Sequence, residues 1–374
     1  MGKVHVIYGN TAYTMVQRLF ATTEALSSVQ PNDTVVIKPN LVVSRRNWQG
    51  VNTDPRVIES LVETLKQQGV SRVTIADGSG MGYNATQAFA VCGYQEMAKR
   101  YGLKLVDLER DRFVTKSVPI DGPFRSLEIA QTVLACDVLI NVSIMKAHSF
   151  TRITCALKNL KGVMPRALKT GFHSVDLHRA IAQLNSVLRP DLILVDGLQG
   201  DLLSETGQTP VAMERLLLGT NPVEVDSVVA DMLGYAPRAI KHIAYSAEAN
   251  LGTCDLNAIE LMSLNQPTTQ VHFQAPPHYS RRFPCQIVAE GACCTCMGNL
   301  IFALERLQEQ RLLSKQQTFL VGQRAEAHAD EKGMTIAVGH CAATGNPQAN
   351  ICIDVCPPSA GIIFRRMTST LKND

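Results

Sequence analysis

The chain has 374 residues, of which 45% are hydrophobic and 18% charged, and its formal net charge is +3. This is ordinary globular usage, with room for two or three domains. Basic residues are dispersed, so we expect no nucleic-acid surface. No apolar run reaches the roughly 18 to 20 residues of a membrane span and no signal peptide is recognisable, so we expect a cytoplasmic protein without membrane contact.

Short runs rich in Val and Ile alternate with amphipathic stretches, which predicts a parallel sheet flanked by helices. The predicted strands of the larger part are residues 4–8, 35–39, 73–76, 103–108, 138–142, 192–195 and 215–218. The clearest helix should begin after Asp54 as N-cap, with Pro55 in its first turn, and end at Gly69. Further helices are expected at 175–188 and after Asn221.

Residues 264–279 contain three prolines and little helix signal, which places a domain boundary there. We therefore expect a large α/β domain at 1–268 and a small C-terminal α/β domain at 269–374. The small domain should contain strands at 286–288, 319–321 and 335–338, and a helix at about 298–311. Its cysteines are expected at the strand ends.

Four cysteines of this tail have the pattern of iron-sulfur ligands. Cys293 and Cys296 form a C-x-x-C pair, Cys341 follows a predicted strand, and Cys356 precedes two prolines. Four thiolates of this kind predict one [4Fe-4S] cluster, with Cys352 as a substitute ligand. A structural zinc site is the chemical alternative, and unliganded packing cysteines are the third.

A second candidate site lies in the large domain. Asp77 and Asp196 each end a predicted strand and precede a glycine, and the glycine-rich loop with Ser79 follows the first. Ligands bind at this edge of open α/β sheets, although Asp-Gly also simply turns a chain. The loop matches neither the Walker A pattern nor the dinucleotide fingerprint.

The densest polar segment of this domain is 145–178, directly after a hydrophobic strand. Its side chains are able to bind an anion, move protons or ligate a metal; solvated lysines and surface histidines are the alternative. For Cys155, which lies among its lysines, two interpretations stay open: a buried packing residue, like the other cysteines of this domain, or a nucleophile whose pKa those lysines lower. Together with Lys38 and Asn40 of the segment VVIKPNLV, the expected ligand-binding residues are Lys38, Asn40, Asp77, Ser79, Lys146, Lys161 and Asp196.

Three segments resemble an uncharacterised bacterial family, the domain of unknown function numbered 362. They are VVIKPNLV at 35–42, DPRVIESLVETLKQQGVSRVTIADGSG at 54–80 and DVLINVSIMKAHSFTRITCALKNLKGVMP at 137–165, and the similarity extends over about 34–250. Members are commonly described as iron-sulfur proteins, and many carry a two-cluster ferredoxin module. This chain lacks the dense cysteine run of that module, so the resemblance implies a single cluster.

The order of His148, Lys158 and His173 is also similar to that in the lactate racemase apoprotein family, which binds a nickel-pincer nucleotide. That similarity implies proton exchange by His148, a cofactor held by Lys158 and a metal ligated by His173.

Two classes of function follow. The first is an electron-transfer protein or oxidoreductase, with a redox partner protein or a small anionic ligand at an interdomain cleft. The second is a non-redox isomerase, racemase or lyase that uses a metal or nickel-pincer cofactor. A structural zinc protein is the further alternative.

Overall fold

The structure, a computed structural model, describes residues 2–44, 46, 49–80, 83–148, 150–202, 210–267, 273–275, 279–326 and 333–371. The chain divides into two compact units. Unit 1 contains Met1–Phe172 and His178–Ala275, and unit 2 contains His173–Leu177 and Pro276–Asp374. The domain boundary expected between residues 268 and 269 lies outside the described residues.

Unit 1 is built on a large sheet with helices against it. Its strands, in chain order, are β1 (Gly2–Tyr8), β2 (Thr34–Lys38), β3 (Arg72–Asp77), β4 (Lys104–Asp107), β5 (Phe113–Ser117), β6 (Ser126–Ala130), β7 (Val138–Ile144), β8 (Lys146–His148), β9 (Arg152–Thr154), β10 (Leu192–Asp201), β11 (Pro210–Gly219) and β12 (Ile259–Ser263). The helices of this part of the chain are α1 (Ala12–Thr23), α2 (Pro55–Gln67), α3 (Ala85–Val91), α4 (Tyr94–Tyr101), α5 (Gln131–Leu134), α6 (Ala156–Asn159), α7 (Arg166–His173), α8 (Leu177–Val187), α9 (Pro222–Met232) and α10 (Lys241–Glu248).

The large sheet has the strand order β12-β1-β11-β10-β7-β2-β3-β4. The five strands from β10 to β4 are parallel, as the sequence predicts. The predicted strand at 215–218 belongs to β11, which instead runs antiparallel to both β10 and β1. The chain first proceeds from β2 to β3 and β4, then returns to the other side of β2 with β7 and β10. The reversal between β2 and β7 is the topological switch point, where open α/β sheets bind ligands.

Buried strands and a capped helix form the core of unit 1. Val35, Ile37 and Ile75 are fully buried in adjacent strands. Helix α2 begins where predicted, because the Asp54 carboxylate accepts a hydrogen bond from the backbone N–H of Arg56. The apolar face of α2 then packs into the same core.

Unit 2 is a smaller α/β layer. A parallel sheet of order β13-β14-β15-β16 is formed by β13 (Gln286–Val288), β14 (Gln317–Val321), β15 (Met334–Val338) and β16 (Ile351–Ile353). Its helices are α11 (Tyr279–Arg282), α12 (Cys294–Glu309), α13 (His340–Gly345) and α14 (Ala360–Leu371). Helices α12 and α14 pack together. The α/β fold class is therefore confirmed, with a mostly parallel sheet in the larger part and a separate cysteine-bearing sheet in the smaller.

Helix α12 begins four residues before the predicted start at 298. Cys296 therefore lies in a helical turn and not in a loop after a strand, and Cys341 lies in α13. Among the described helices, none is long and apolar enough to cross a membrane.

Candidate functional site

A buried polar network occupies the switch point of the large sheet. Lys38, the last residue of β2, places its Nζ 2.6 Å from Oδ1 of Asp77, the last residue of β3. Asn159 Oδ1 accepts from Nδ2 of Asn40 at 2.8 Å and from Nζ of Lys38 at 3.3 Å. Asn159 Nδ2 donates to Asn141 Oδ1 at 2.7 Å. The side chain of Asn159 thus joins β2 and β7 across the crevice.

The Asp77 carboxylate is also held by backbone. It accepts hydrogen bonds from the N–H groups of Leu41 and Gly78, each at 2.8 Å. Burial raises the pKa of Asp77, while the Lys38 ammonium opposes the rise. Burial likewise lowers the pKa of Lys38, and Asp77 opposes that change. The buried charge of Lys38 is therefore compensated by that of Asp77, and the reverse.

Gly162 lets the chain close over this network. A Cβ atom at this position would lie 2.2 Å from Asp77 Oδ1 and 2.8 Å from Lys38 Nζ. Only a residue without a side chain allows so close an approach. The Lys-Asn-Leu-Lys-Gly segment at 158–162 therefore covers part of the switch point. This segment is named the plug.

Two atoms next to the plug are not satisfied by the described part of the chain. Asn40 Oδ1 and Ser79 Oγ are buried and have no hydrogen-bond partner there. Lys169 donates to the carbonyl oxygen of Ser79 at 2.9 Å and pairs with Glu109. Buried polar atoms of this kind are commonly met by ordered water or by a ligand. Ligand binding by Lys38, Asn40, Asp77 and Ser79 stays a prediction, and the structure brings these four residues together.

The other three expected ligand-binding residues lie in separate contacts. Lys146 is buried and donates to the carbonyl oxygen of Val51 at 2.6 Å. Lys161 lies with its Nζ 5.8 Å from the ring centre of Phe172. These contacts stabilise the loops around the sheet edge; ligand binding by either lysine stays a prediction.

Asp196 is engaged with the start of α2. It accepts from the backbone N–H groups of Asp54 at 2.7 Å and Leu198 at 3.0 Å. Burial, reinforced by the neighbouring Asp54 carboxylate, raises the pKa of Asp196 to about 7. Asp196 thus ties the end of β10 to the start of α2, and a direct role in ligand binding stays a prediction.

A second group of basic side chains, His148, Lys158, His178 and His242, is called here the histidine cluster. His148 Nδ1 accepts from the backbone N–H groups of Phe150 at 3.0 Å and Thr151 at 3.3 Å. This hydrogen bonding assigns the proton of a neutral His148 to Nε2. Lys158 Nζ donates to Thr154 Oγ1 at 3.3 Å.

Aromatic rings stack through the cluster. The centre of the His178 ring lies 5.6 Å from that of Phe150 and 5.6 Å from that of His242. His242 is fully buried, and burial lowers its pKa well below the ordinary value for histidine. The nearby His178, Lys158 and His148 lower it further. His242 is therefore neutral at physiological pH.

The expected catalytic set contains two of these four residues, His148 and Lys158, and His178 is the last residue of the polar segment 145–178. His242 was missed, because a lone histidine on an amphipathic helix carries no signal until the fold brings it to the others. His173, the third member of the expected catalytic set, ends α7 and is grouped with unit 2. The histidine cluster does not include it, and its catalytic role stays a prediction.

The hypothesis of a nucleophilic Cys155 with a lowered pKa is wrong. Its thiol is fully buried, and burial raises its pKa well above the usual value, with the Asp226 carboxylate adding to the effect. Asp226 accepts from the backbone N–H of Ala156 at 2.7 Å, and its own pKa is raised by burial to about 7. Cys155 is thus a packing residue next to the start of α6.

In unit 2, the four expected ligand cysteines influence one another. A hydrogen bond with Cys293 raises the pKa of the Cys296 thiol well above its usual value, and burial, Cys356 and Cys341 raise it further. Burial, Cys341 and Cys293 likewise raise the pKa of Cys356. A Cβ atom on Gly339 would lie 3.3 Å from Cys296 Sγ, so the loop before Cys341 lies against this thiol. Three separate segments therefore bring these thiols together.

The competing cysteines have other surroundings. Cys352 donates weakly to the carbonyl oxygens of Asn346 at 3.7 Å and Ala349 at 4.0 Å, and its side chain packs on a small alanine cluster. Cys285 is buried, and burial raises its pKa to about 11. The side chain of Cys294 lies outside the described residues.

The described residues contain no group of three or more His, Cys, Asp or Glu side chains placed to hold a metal ion. Four neighbouring thiols are the ligand set of a [4Fe-4S] cluster and also of a structural zinc ion. Binding of either group by Cys293, Cys296, Cys341 and Cys356 stays a prediction.

Fold and site together define the chain as an α/β protein with a plugged switch point, a basic histidine cluster and a small unit bearing four adjacent thiols. The profile of the family described as Domain of unknown function (DUF362) matches residues 35–231, more than half of the chain. The chain belongs to this family.

Two known proteins are similar to it. The thylakoid-associated protein sll1697 of Synechocystis sp. (strain ATCC 27184 / PCC 6803 / Kazusa) is 26% identical over 235 residues, covering 60% of this chain and 70% of that protein. The structure of the lactate racemase apoprotein from Thermoanaerobacterium thermosaccharolyticum matches with a TM-score of 0.41 and 14% identity, over 59% of this chain and 55% of that one. This chain thus spans little more than half of that structure.

Proposed function

We propose that this chain is an iron-sulfur protein in which Cys293, Cys296, Cys341 and Cys356 hold one [4Fe-4S] cluster, and that it transfers electrons to or from a partner protein or a bound small anion. The observation that supports the proposal is the grouping of these four thiols, with the Gly339 loop against Cys296 Sγ, whereas Cys352 packs on an alanine cluster. When bound, such a cluster supplies one-electron redox chemistry. We also propose a cytoplasmic location, where thiols stay reduced.

The start of α12 supports the binding of thiolates. Cys293 is the N-cap of this helix and Cys296 lies in its first turn. The N-terminal end of a helix carries a partial positive charge, which favours a negatively charged sulfur. Gly339, with a φ of +93°, gives the loop before Cys341 a conformation that leaves space beside Cys296 Sγ.

Serine variants of single cysteines test the ligand assignment. The four variants Cys293→Ser, Cys296→Ser, Cys341→Ser and Cys356→Ser are reconstituted with iron and sulfide under anaerobic conditions, and visible absorption and iron content are measured. We expect each to lose most of both, because a cluster without its fourth thiolate is labile. Cys352→Ser is the matched control and should keep the absorption of the wild type. Equal loss in the control, or full retention in all four variants, contradicts the assignment.

A non-redox enzyme of the isomerase, racemase or lyase type is the second candidate, and the histidine cluster favours it. Lys158 and two histidines beside a buried neutral imidazole are groups that move protons. Here Lys158 would hold a metal-containing cofactor such as a nickel-pincer nucleotide, and the iron-sulfur cluster would be structural. Intact mass measurement would show a covalent adduct on Lys158 in this case. Potentiometry separates the classes, because a cluster that accepts no electron at accessible potentials supports the second.

Structural zinc binding by the same cysteines is the remaining alternative. It predicts a colourless protein that holds zinc without sulfide and keeps it in air. The same four serine variants would then lose zinc.

A further inference from the structure

Ring contacts between side chains of α8 and α10 place two imidazoles in an unusual environment. His178 of α8 stacks on His242 of α10 with 15° between the ring planes. The next residue, Arg179, lies with its guanidinium carbon 4.2 Å from the ring centre of Tyr245, on the same face of α10. Ring stacking accounts for the contact between these helices, and a phenylalanine would stack as well as a histidine.

The nitrogen atoms of His242 are not explained by stacking. Both are buried, and within the described residues neither has a hydrogen-bond partner. A buried polar atom left without a partner is costly, because its lost hydration is not replaced by another hydrogen bond. We therefore expect a polar group that is absent from the isolated chain to meet one of these nitrogens.

The groups with the largest electrostatic influence on His242 are His178, Lys158 and His148, and all three are basic. Arg152 lies opposite His148 in the register of the β8–β9 hairpin. The backbone φ of Arg152 is +67°, a strained value for a residue other than glycine. Basic groups concentrated around a buried imidazole, with strained backbone beside them, are the features of a site that receives negative charge.

We propose that Lys158, His178 and His242 bind an oxyanion, the carboxylate or phosphate group of a small molecule, within unit 1. His242 donates its N–H to one oxygen, and Lys158 supplies a charge-assisted hydrogen bond. The bound group satisfies a nitrogen of His242 and neutralises the basic surroundings. This inference rests on the proposed function because it names the chemical class of the small anion proposed there. It does not require the iron-sulfur cluster.

The test uses the full chain and two probes, inorganic phosphate and malonate, titrated separately by calorimetry and by the shift in Tm. We expect at least one probe to bind the wild type, and the preferred probe to distinguish a phosphate from a carboxylate ligand. His242→Phe should weaken binding by at least about tenfold, because it removes a hydrogen bond to a charged group. It should be at least as stable as the wild type without ligand, because an unpaired polar ring is replaced by an apolar one.

Two further variants keep the test decisive. Lys158→Met, at a half-buried position, should weaken binding similarly and covers the case in which His242→Phe does not fold. His5→Phe, on β1 and outside the cluster, should bind like the wild type. Binding of neither probe to the wild type, or unchanged affinity in both His242→Phe and Lys158→Met, overturns the inference. Cluster content measured in the same samples separates it from the proposed function: anion binding without a cluster contradicts only the latter, and a cluster without anion binding contradicts only the inference.

Discussion

Lys158, Asn159 and Gly162 lie within one short segment and serve two different sites. Successive residues of a helical turn point about 100° apart. Asn159 therefore faces the switch point while Lys158 lies with the histidine cluster. Position 162 requires glycine because the backbone there passes directly over Asp77. The segment was recognisable in the sequence as a unit, but its division between two sites depends on the direction of each side chain.

Gly162→Ala tests the close approach at the plug. The added methyl group overlaps Asp77 Oδ1, so we expect a loss of about 1–3 kcal/mol in the free energy of unfolding from overpacking. Gly171→Ala is the matched control, since among the described residues no atom beyond its chain neighbours and its own helical backbone lies within 4 Å of a Cβ at this position. It should be neutral or stabilise by up to about 1 kcal/mol. Denaturant unfolding measures both, and equal effects of the two variants would contradict the close approach.

His242 gives the stability of the chain a pH dependence of known sign. Its pKa is lowered in the folded state, so below pH 6.5 the unfolded chain binds a proton that the folded chain does not. The contribution of His242 is therefore fully present above pH 6.5 and is lost as the pH falls towards the lowered pKa. The variant His242→Phe does not lose stability in this way as the pH falls. We expect its stability relative to the wild type to increase by up to about 1.4 kcal/mol per pH unit below 6.5. A difference that is constant from pH 7.5 to 5 would show that His242 is not buried in its neutral form.

At the scale of elements, periodicity predicted the parallel strands and the capped start of α2, because both follow from local patterns. Periodicity did not predict the direction of β11, since an apolar run has the same pattern in a parallel and in an antiparallel strand. The short β8–β9 hairpin and the one-turn α6 are set by tertiary contacts, among them the Asp226 carboxylate at the backbone of Ala156. These irregular elements carry His148 and Lys158, and for that reason the candidate site was less predictable than the sheet.

The Lys38–Asp77 pair links the ends of β2 and β3, and its removal tests this link. Lys38→Met leaves the buried carboxylate without its cation, which typically costs about 3–5 kcal/mol. The double variant Lys38→Met, Asp77→Asn removes both charges and keeps an acceptor for the N–H of Leu41. It should therefore be more stable than Lys38→Met alone. Simple additivity of the two single changes in a double-mutant cycle would show that the pair is not coupled.

At the scale of the whole molecule, the two units bear chemistry of different kinds. Unit 1 concentrates lysine, histidine and carboxamide side chains around the switch point and the histidine cluster. Unit 2 contributes four thiols from three segments of its own. The C-x-x-C spacing, the predicted strand before Cys341 and the prolines after Cys356 predict these four cysteines as the ligands. The fold groups their thiols while Cys352 packs on an alanine cluster, and cluster binding stays a prediction.

The central claim is that these four thiols hold a [4Fe-4S] cluster. The most direct measurement is the iron, zinc and acid-labile sulfide content of the full chain purified and reconstituted under anaerobic conditions. The proposed assignment predicts about four irons and four sulfides per chain, with broad absorption in the visible region. A colourless protein that retains zinc, or one that binds neither iron nor sulfide after reconstitution, would contradict it.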